Sequence, residues 1–181
     1  MGSYSDIPQI SLPQSADWVA RVRESAEYNM KRYESCSQSI LAAFMGEFSV
    51  EDPLVMASAG GFHGGMMASL TCGIYTGGLM VLGLLIGRPY IEQGLDGMFP
   101  IIMPAQELLS RLKNKIGAYS CQELTGADFS DLNQAIAFMA SEGYDKCRTR
   151  VADGSEEIGR FLVELNGRGE LFRPDLKQAS G

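Results

Sequence analysis

A charge-free stretch covering residues 53–87 constrains the fold of this chain more than any other feature. Its second half, residues 66–86, is long enough to cross a bilayer as a helix. It also carries Gly73 and Gly77, four residues apart, a spacing that lets two helices approach closely. However, the segment is rich in Gly, Ser, Thr and Cys, and no Lys or Arg cluster flanks it. We therefore expect a buried central helix rather than a membrane span, which basic flanks would accompany.

Apolar residues recur at steps of three and four along most of the chain, which is the period of an amphipathic helix. The first such stripe, from Trp18 to Phe48, predicts either one long helix or two helices with a break near Glu34. No segment alternates at period two, and no internal repeat is present. The sequence therefore predicts an all-α, single-domain helical bundle around the buried, Gly-rich central helix.

Local signals predict where the later helices begin. Thr71 is the expected N-cap of the central helix, which would run from Cys72 to Ile86, and Pro104 is expected to open the next helix. Ser120 with Glu123 forms an S-x-x-E capping box at the start of a short helix. A helix is predicted within residues 128–143, with Ser130 as its cap and Leu132, Ile136 and Met139 as its inward face, and a last helix over residues 145–165.

The length of 181 residues accommodates one domain. We divide the chain into an extended N-terminal arm over residues 1–14, a helical redox domain over residues 15–166 and a polar C-terminal tail over residues 167–181. Fifteen Lys and Arg against 22 Asp and Glu give a net charge of −7. This balance excludes nucleic acid and anionic membranes as expected partners. Residues 1–12 lack the features of a secretory signal, so we expect a reducing, cytoplasmic setting.

The chain has four cysteines, Cys36, Cys72, Cys121 and Cys147, each in a different predicted helix. No C-x-x-C occurs, so a zinc ribbon, a thioredoxin-type site and a c-type haem attachment are not expected. Four thiolates from four helices can converge to bind an iron–sulfur cluster or zinc, and a helix N-terminus stabilises a thiolate. The other interpretation is that the cysteines simply fill core space, as free cysteines often do.

His63 is the only histidine of the chain and lies in a run with four glycines in six residues, 60–65. Such a run favours turns and positive φ. A histidine there is either a hydrogen-bonded turn residue or a group that acts near Cys72, as a further ligand, a proton donor or a substrate contact.

Several segments resemble, in order, the family named C_GCAxxG_C_C after its cysteine pattern. They are Cys36-Ser-Gln-Ser-Ile-Leu-Ala-Ala-Phe, Thr71-Cys-Gly-Ile-Tyr-Thr-Gly-Gly-Leu-Met-Val-Leu-Gly-Leu, Cys121-Gln-Glu-Leu-Thr-Gly and the isolated Cys147. The family includes the non-haem domain of split-Soret cytochrome c, and some relatives hold an iron–sulfur centre. The resemblance implies a helical redox protein in which these four cysteines bind the cofactor. The chain departs from the family pattern at Ile74 and Tyr75, where a small residue is expected, and in the glycine-rich loop.

Three functional hypotheses follow. The first is an iron–sulfur protein with Cys36, Cys72, Cys121 and Cys147 as ligands, which transfers electrons or, if it is an enzyme, acts as an oxidoreductase on a small molecule. The second is a thiol–disulfide protein in which a pair such as Cys72 and Cys121 cycles. The third is a non-enzymatic helical binding or assembly module with buried structural cysteines. The expected partners are a redox protein or a small-molecule substrate, and the glycine face of the central helix makes a homodimer conceivable.

Overall fold

Residues 10–13, 15, 17–89 and 91–171 are described by a computed structural model. Within them the chain forms helices and no β-strand, which confirms the all-α prediction. The predicted arm over residues 1–14 and tail over residues 167–181 fall largely outside these residues. The α-helices are α1 (Trp18–Tyr33), α2 (Cys36–Glu47), α3 (Pro53–Ser58), α4 (Gly73–Ile86), α5 (Phe99–Ile116), α6 (Cys121–Thr125), α7 (Leu132–Met139) and α8 (Glu142–Gly167).

The predicted break in the first apolar stripe separates α1 from α2. Glu34 adopts the left-handed conformation, with φ of 58°, and its N–H donates to the carbonyl of Met30. The chain then turns back, so that α2 packs along α1. Trp18 and Phe44 meet edge to face across this contact, with ring centroids 6.2 Å apart. The long helix α8 covers the other side of α1.

Helix α4 is the buried central helix that the sequence predicts, and it packs against α2, α5 and α8. A Cβ at Gly77 would lie 3.0 Å from the carbonyl oxygen of Ser37, so a side chain here would require α2 to move away by a few tenths of an ångström. Helix α2 covers the face of α4 that carries Gly73 and Gly77. None of the helices in the described ranges is both long and apolar enough to cross a membrane.

Two predicted helix starts are wrong. The N-cap of α4 is Cys72, and Thr71 instead forms an isolated antiparallel bridge with Ser120. Helix α5 begins at Phe99 with Pro100 in its first turn, so that Pro104 lies inside the helix. Proline is compatible with the first turn because the N–H groups there have no helical acceptor. Pro100 occupies that position in α5, and Pro104 therefore did not mark the start of the helix.

Helix α7 differs from the prediction in its cap and in its inward face. Asp131, and not Ser130, accepts hydrogen bonds from the first backbone N–H groups. The exposed fractions of Leu132, Ile136 and Met139 are 72%, 58% and 43%, whereas Phe138 is buried. The helix spans only about two turns and packs mainly on α8. Its predicted apolar stripe therefore remains outside the core that the described residues form.

Candidate functional site

Residues Gly64, Gly65, Met66 and Met67 form one turn of left-handed helix. Their φ angles are 57°, 63°, 60° and 57°. For an L-residue other than glycine this conformation costs about 1–2 kcal/mol, so Met66 and Met67 are strained while the glycines are not.

The predicted irregularity of residues 60–65 is confirmed for Gly64 and Gly65, but Gly60 and Gly61 lie in a short 3₁₀ turn, Ala59–Phe62.

Ser69 anchors the end of this left-handed turn. Its hydroxyl donates to the carbonyl of Ala127 at 2.8 Å and accepts from the N–H of Phe129 at 2.7 Å. The side chain is buried. Because both bonds reach a distant segment, the turn is held by the tertiary structure rather than by its own residues, which is how strained backbone persists at functional sites.

Replacing Met66 by glycine should stabilise the protein by about 1 kcal/mol, because glycine adopts positive φ without strain. Met66→Ala removes the same side chain but leaves an L-residue at φ of 60°, so we expect it to change the free energy of unfolding little. Urea unfolding of both variants measures the difference. Equal effects of the two substitutions would show that side-chain contacts, and not backbone strain, matter here.

Three of the four cysteines lie at helix N-termini. Cys36 is the first residue of α2, Cys72 is the N-cap of α4 and Cys121 is the first residue of α6, whereas Cys147 lies in the second turn of α8. The capping box predicted at Ser120 is confirmed, since its hydroxyl accepts the N–H of Glu123 at 3.1 Å. These positions place the positive end of a helix dipole next to three of the cysteines.

Backbone hydrogen bonds hold Cys72 and Cys121 next to each other. The N–H of Cys72 donates to the carbonyl of Tyr119 at 2.9 Å, and the N–H of Cys121 donates to the carbonyl of Leu70 at 2.6 Å. Together with the bridge between Thr71 and Ser120, they pair the two segments that precede α4 and α6. The relative position of the backbone at these two cysteines is therefore set by main-chain hydrogen bonds.

The four cysteines line one cavity of about 230 Å³. Cys72 and Cys121 are buried, and Cys36 and Cys147 are half-buried. The site thus gathers residues that are far apart in the chain. Apolar residues form most of the remaining wall, among them Met30, Ile74, Leu124, Phe129, Phe138 and Val151.

Cys72 is the central thiol of the group, in hydrogen-bonding contact with both Cys36 and Cys121. The contact with Cys121, together with burial, raises the pKa of Cys72 to about 12. The contact with Cys72, together with burial, raises the pKa of Cys36 well above its usual range. Burial also raises the pKa of Cys147, which is farther from the other thiols and is influenced by Cys36 and Arg150. Without a cation in the cavity, these three thiols are protonated at neutral pH.

Backbone N–H groups point at two of the sulfurs. The N–H groups of Gly64 and Ser37 bond to the sulfur of Cys36, and the N–H of Ile74 bonds to that of Cys72; each lowers the pKa of the thiol that accepts it. Gly73 permits the close packing around Cys36, since a Cβ at this position would clash with the Cys36 sulfur. Sulfurs that accept N–H bonds are prepared for the thiolate state, and such bonds also tune metal–thiolate centres.

The described residues do not contain a preformed site for a single metal ion. Among the described residues, no three His, Cys, Asp or Glu side chains lie close enough together to hold one ion. A structural zinc site would need four ligands on one ion. That the four cysteines lining the cavity bind an iron–sulfur cluster stays a prediction.

His63 lies in the wall of the same cavity. Its Nδ1 is 2.9 Å from the carbonyl oxygen of Gly60, and because a carbonyl only accepts, Nδ1 carries the hydrogen. The interpretation as a hydrogen-bonded turn residue is therefore confirmed, and a role as ligand, proton donor or substrate contact stays a prediction.

Arg150 and Tyr144 also line the cavity and were missed from the sequence. Both lie three residues from Cys147 along α8 and therefore on the same face of the helix. This spacing was the available signal. Tyr144 donates its hydroxyl to the carbonyl of Met30 at 2.7 Å, and burial raises its pKa to about 12.

Comparison with known families gives a match over most of the chain. The model of the family described as "Putative redox-active protein (C_GCAxxG_C_C)" matches residues 34–160, which is more than half of the chain and includes all four cysteines and His63. Comparisons with curated proteins and with solved structures found no significant match.

Proposed function

Because the chain belongs to the C_GCAxxG_C_C family of redox-active proteins, we propose that it binds an iron–sulfur cluster through Cys36, Cys72, Cys121 and Cys147. One observation carries this proposal: thiols from four separate helices line a single, largely apolar cavity. Cysteines that merely fill core space would not need to share a cavity. The protein would exchange electrons with a redox protein or reduce a small molecule.

The electrostatics of the thiols argue against a nucleophilic cysteine and are compatible with metal ligands. A nucleophilic cysteine needs a lowered pKa, but the pKa values of Cys36, Cys72 and Cys147 are all raised. Coordinated iron would provide the positive charge that keeps the thiolates deprotonated. The N–H bonds to Cys36 and Cys72 would offset part of the remaining negative charge.

When bound, the cluster supplies one-electron chemistry. The residues of the chain would hold it, exclude water and set its potential. The apolar wall around Phe129, Phe138 and Val151 limits access of water, and burial together with hydrogen bonds to sulfur is what tunes such centres. The proposal includes the reducing, cytoplasmic setting expected from the sequence, where thiols remain available for metal.

An absorption spectrum of the anaerobically purified and reconstituted protein tests the proposal. We expect broad bands in the visible range, together with iron and acid-labile sulfide in comparable amounts. Protein that stays colourless and iron-free after anaerobic reconstitution with iron and sulfide would eliminate it. The spectrum of the untreated protein provides the reference for protein absorption.

A thiol–disulfide function is the second candidate, and the contacts of Cys72 with Cys36 and Cys121 favour it. Either pair could form a disulfide by passing two electrons and two protons to a partner disulfide such as oxidised glutathione, which is reduced to two thiols. Alkylation followed by mass spectrometry, at a series of glutathione ratios, would identify the pair. Reversible loss of two alkylation sites in iron-free protein would support this function, and four sites that stay reactive under oxidising conditions would exclude it.

A further inference from the structure

The cysteine cavity has a second wall that no thiol occupies. Phe129 and Phe138 lie edge to face there, with ring centroids 5.4 Å apart. Leu132 and Met139 line the cavity and are also largely exposed, so that they mark its mouth. At about 230 Å³ the cavity exceeds the roughly 150 Å³ of an apolar cavity that binds benzene. Its size and lining suit a small apolar molecule that enters beside α7.

Arg150 places a positive charge in this apolar wall. Other arginines of α8 pair with carboxylates, as Arg148 does with Asp145 and Arg160 with Glu156. Arg150 forms no such ion pair with any described residue, and its side-chain partner is the thiol of Cys147. A half-buried guanidinium with no anion has spare donors in a planar fork that matches a carboxylate.

The acidic residue of the cavity lies elsewhere on the wall. Glu34 follows α1 and interacts with Tyr144, near the start of α8. Arg150 lies six residues farther along α8, more than one helical turn away. An anion bound at Arg150 would therefore sit beside the apolar wall and Cys147 rather than against the carboxylate of Glu34.

We propose that this cavity binds a small molecule with an apolar, aromatic-sized body and a single carboxylate, which Arg150 orients over the cysteines. The inference rests on the proposed function in that the ligand would occupy the redox site. The aromatic wall would hold the body of the molecule, and the guanidinium would hold its carboxylate. The other role open to Arg150 is to offset thiolate charge without touching a ligand.

Binding of benzoate and of its neutral analogue benzamide tests this proposal. We would follow both by NMR titration of the anaerobic protein, before and after iron loading. Benzoate should bind the wild type at least about tenfold more tightly than benzamide, as a charge-assisted hydrogen bond predicts. Arg150→Leu should remove that advantage and leave benzamide binding unchanged.

Arg160→Leu is the matched control, since Arg160 lies on the same helix, is exposed and bonds to Glu156. It should bind both probes like the wild type. Equal affinity of wild type for benzoate and benzamide, absence of binding, or unchanged benzoate binding in Arg150→Leu would overturn the proposal. Iron content is measured separately on each sample. A failure of iron loading with intact benzoate binding would therefore count against the cluster and not against the ligand site.

Discussion

Replacing Cys147 by alanine should abolish iron binding as completely as replacing Cys72, although the two thiols have different surroundings. Cys72 contacts two other thiols, whereas Cys147 reaches the cavity from α8. In an iron–sulfur site each cysteine completes the coordination of an iron, so the loss of any one opens the cluster. We expect less than about a tenth of the wild-type iron in either variant after anaerobic reconstitution, a fall of more than 1.4 kcal/mol in binding.

The same pair of variants separates the two candidate functions. A disulfide between Cys72 and either Cys36 or Cys121 does not involve Cys147, so Cys147→Ala would retain reversible oxidation while Cys72→Ala would lose it. Met139→Leu, a conservative change in the cavity wall, should retain iron and provides the control. Full iron content in Cys147→Ala, with an unchanged spectrum, would show that this cysteine is not a ligand.

Replacing Gly65 by alanine should destabilise the protein by about 4 kcal/mol. A Cβ at this position would lie 2.6 Å from the nitrogen of Leu70 and 2.7 Å from the Cβ of Cys121. The added methyl meets backbone on one side, and overpacking of this kind costs about 1–3 kcal/mol or more. The positive φ of 63° adds about 1–2 kcal/mol. Since Leu70 accepts the N–H of Cys121, the shift should also displace that thiol.

Gly94→Ala isolates the contribution of the backbone angle. Gly94 has nearly the same φ, 59°, but a Cβ there would meet no atom within 4 Å. We expect it to cost about 1 kcal/mol, so the difference between the variants reports the close packing around Gly65. Chemical unfolding of both variants, followed by circular dichroism, gives the comparison. Similar costs for the two substitutions would contradict the packing that the structure describes around Cys121.

Local patterns in the sequence predicted most of the helices, because amphipathic period and capping chemistry act over a few residues. The break at Glu34, the box at Ser120 and the buried helix α4 are confirmed. The membership in the C_GCAxxG_C_C family is also confirmed. The binding of a cluster stays a prediction, because the cluster is not part of the polypeptide. The proposed ligands are Cys36, Cys72, Cys121 and Cys147.

Features that depend on tertiary contacts could not be predicted in this way. Two methionines in a left-handed turn oppose local preference and persist because Ser69 bonds to a distant segment. Thr71 has a side chain typical of an N-cap, but it pairs with Ser120, and the N-cap of α4 is Cys72. Ile136 is exposed because α7 is short and covers little of the bundle. The spacing of the apolar residues in α7 did not indicate this.

The placement of Cys147 on α8 has a consequence for how the protein matures. Cys36 and Cys147 are separated by most of the chain, and α8 reaches its place by packing against α1 near the beginning of the sequence. A nascent chain leaving the ribosome would therefore carry three thiols for some time before the fourth emerges. If the four cysteines bind the proposed cluster, iron delivered before Cys147 emerges would meet an incomplete set of ligands.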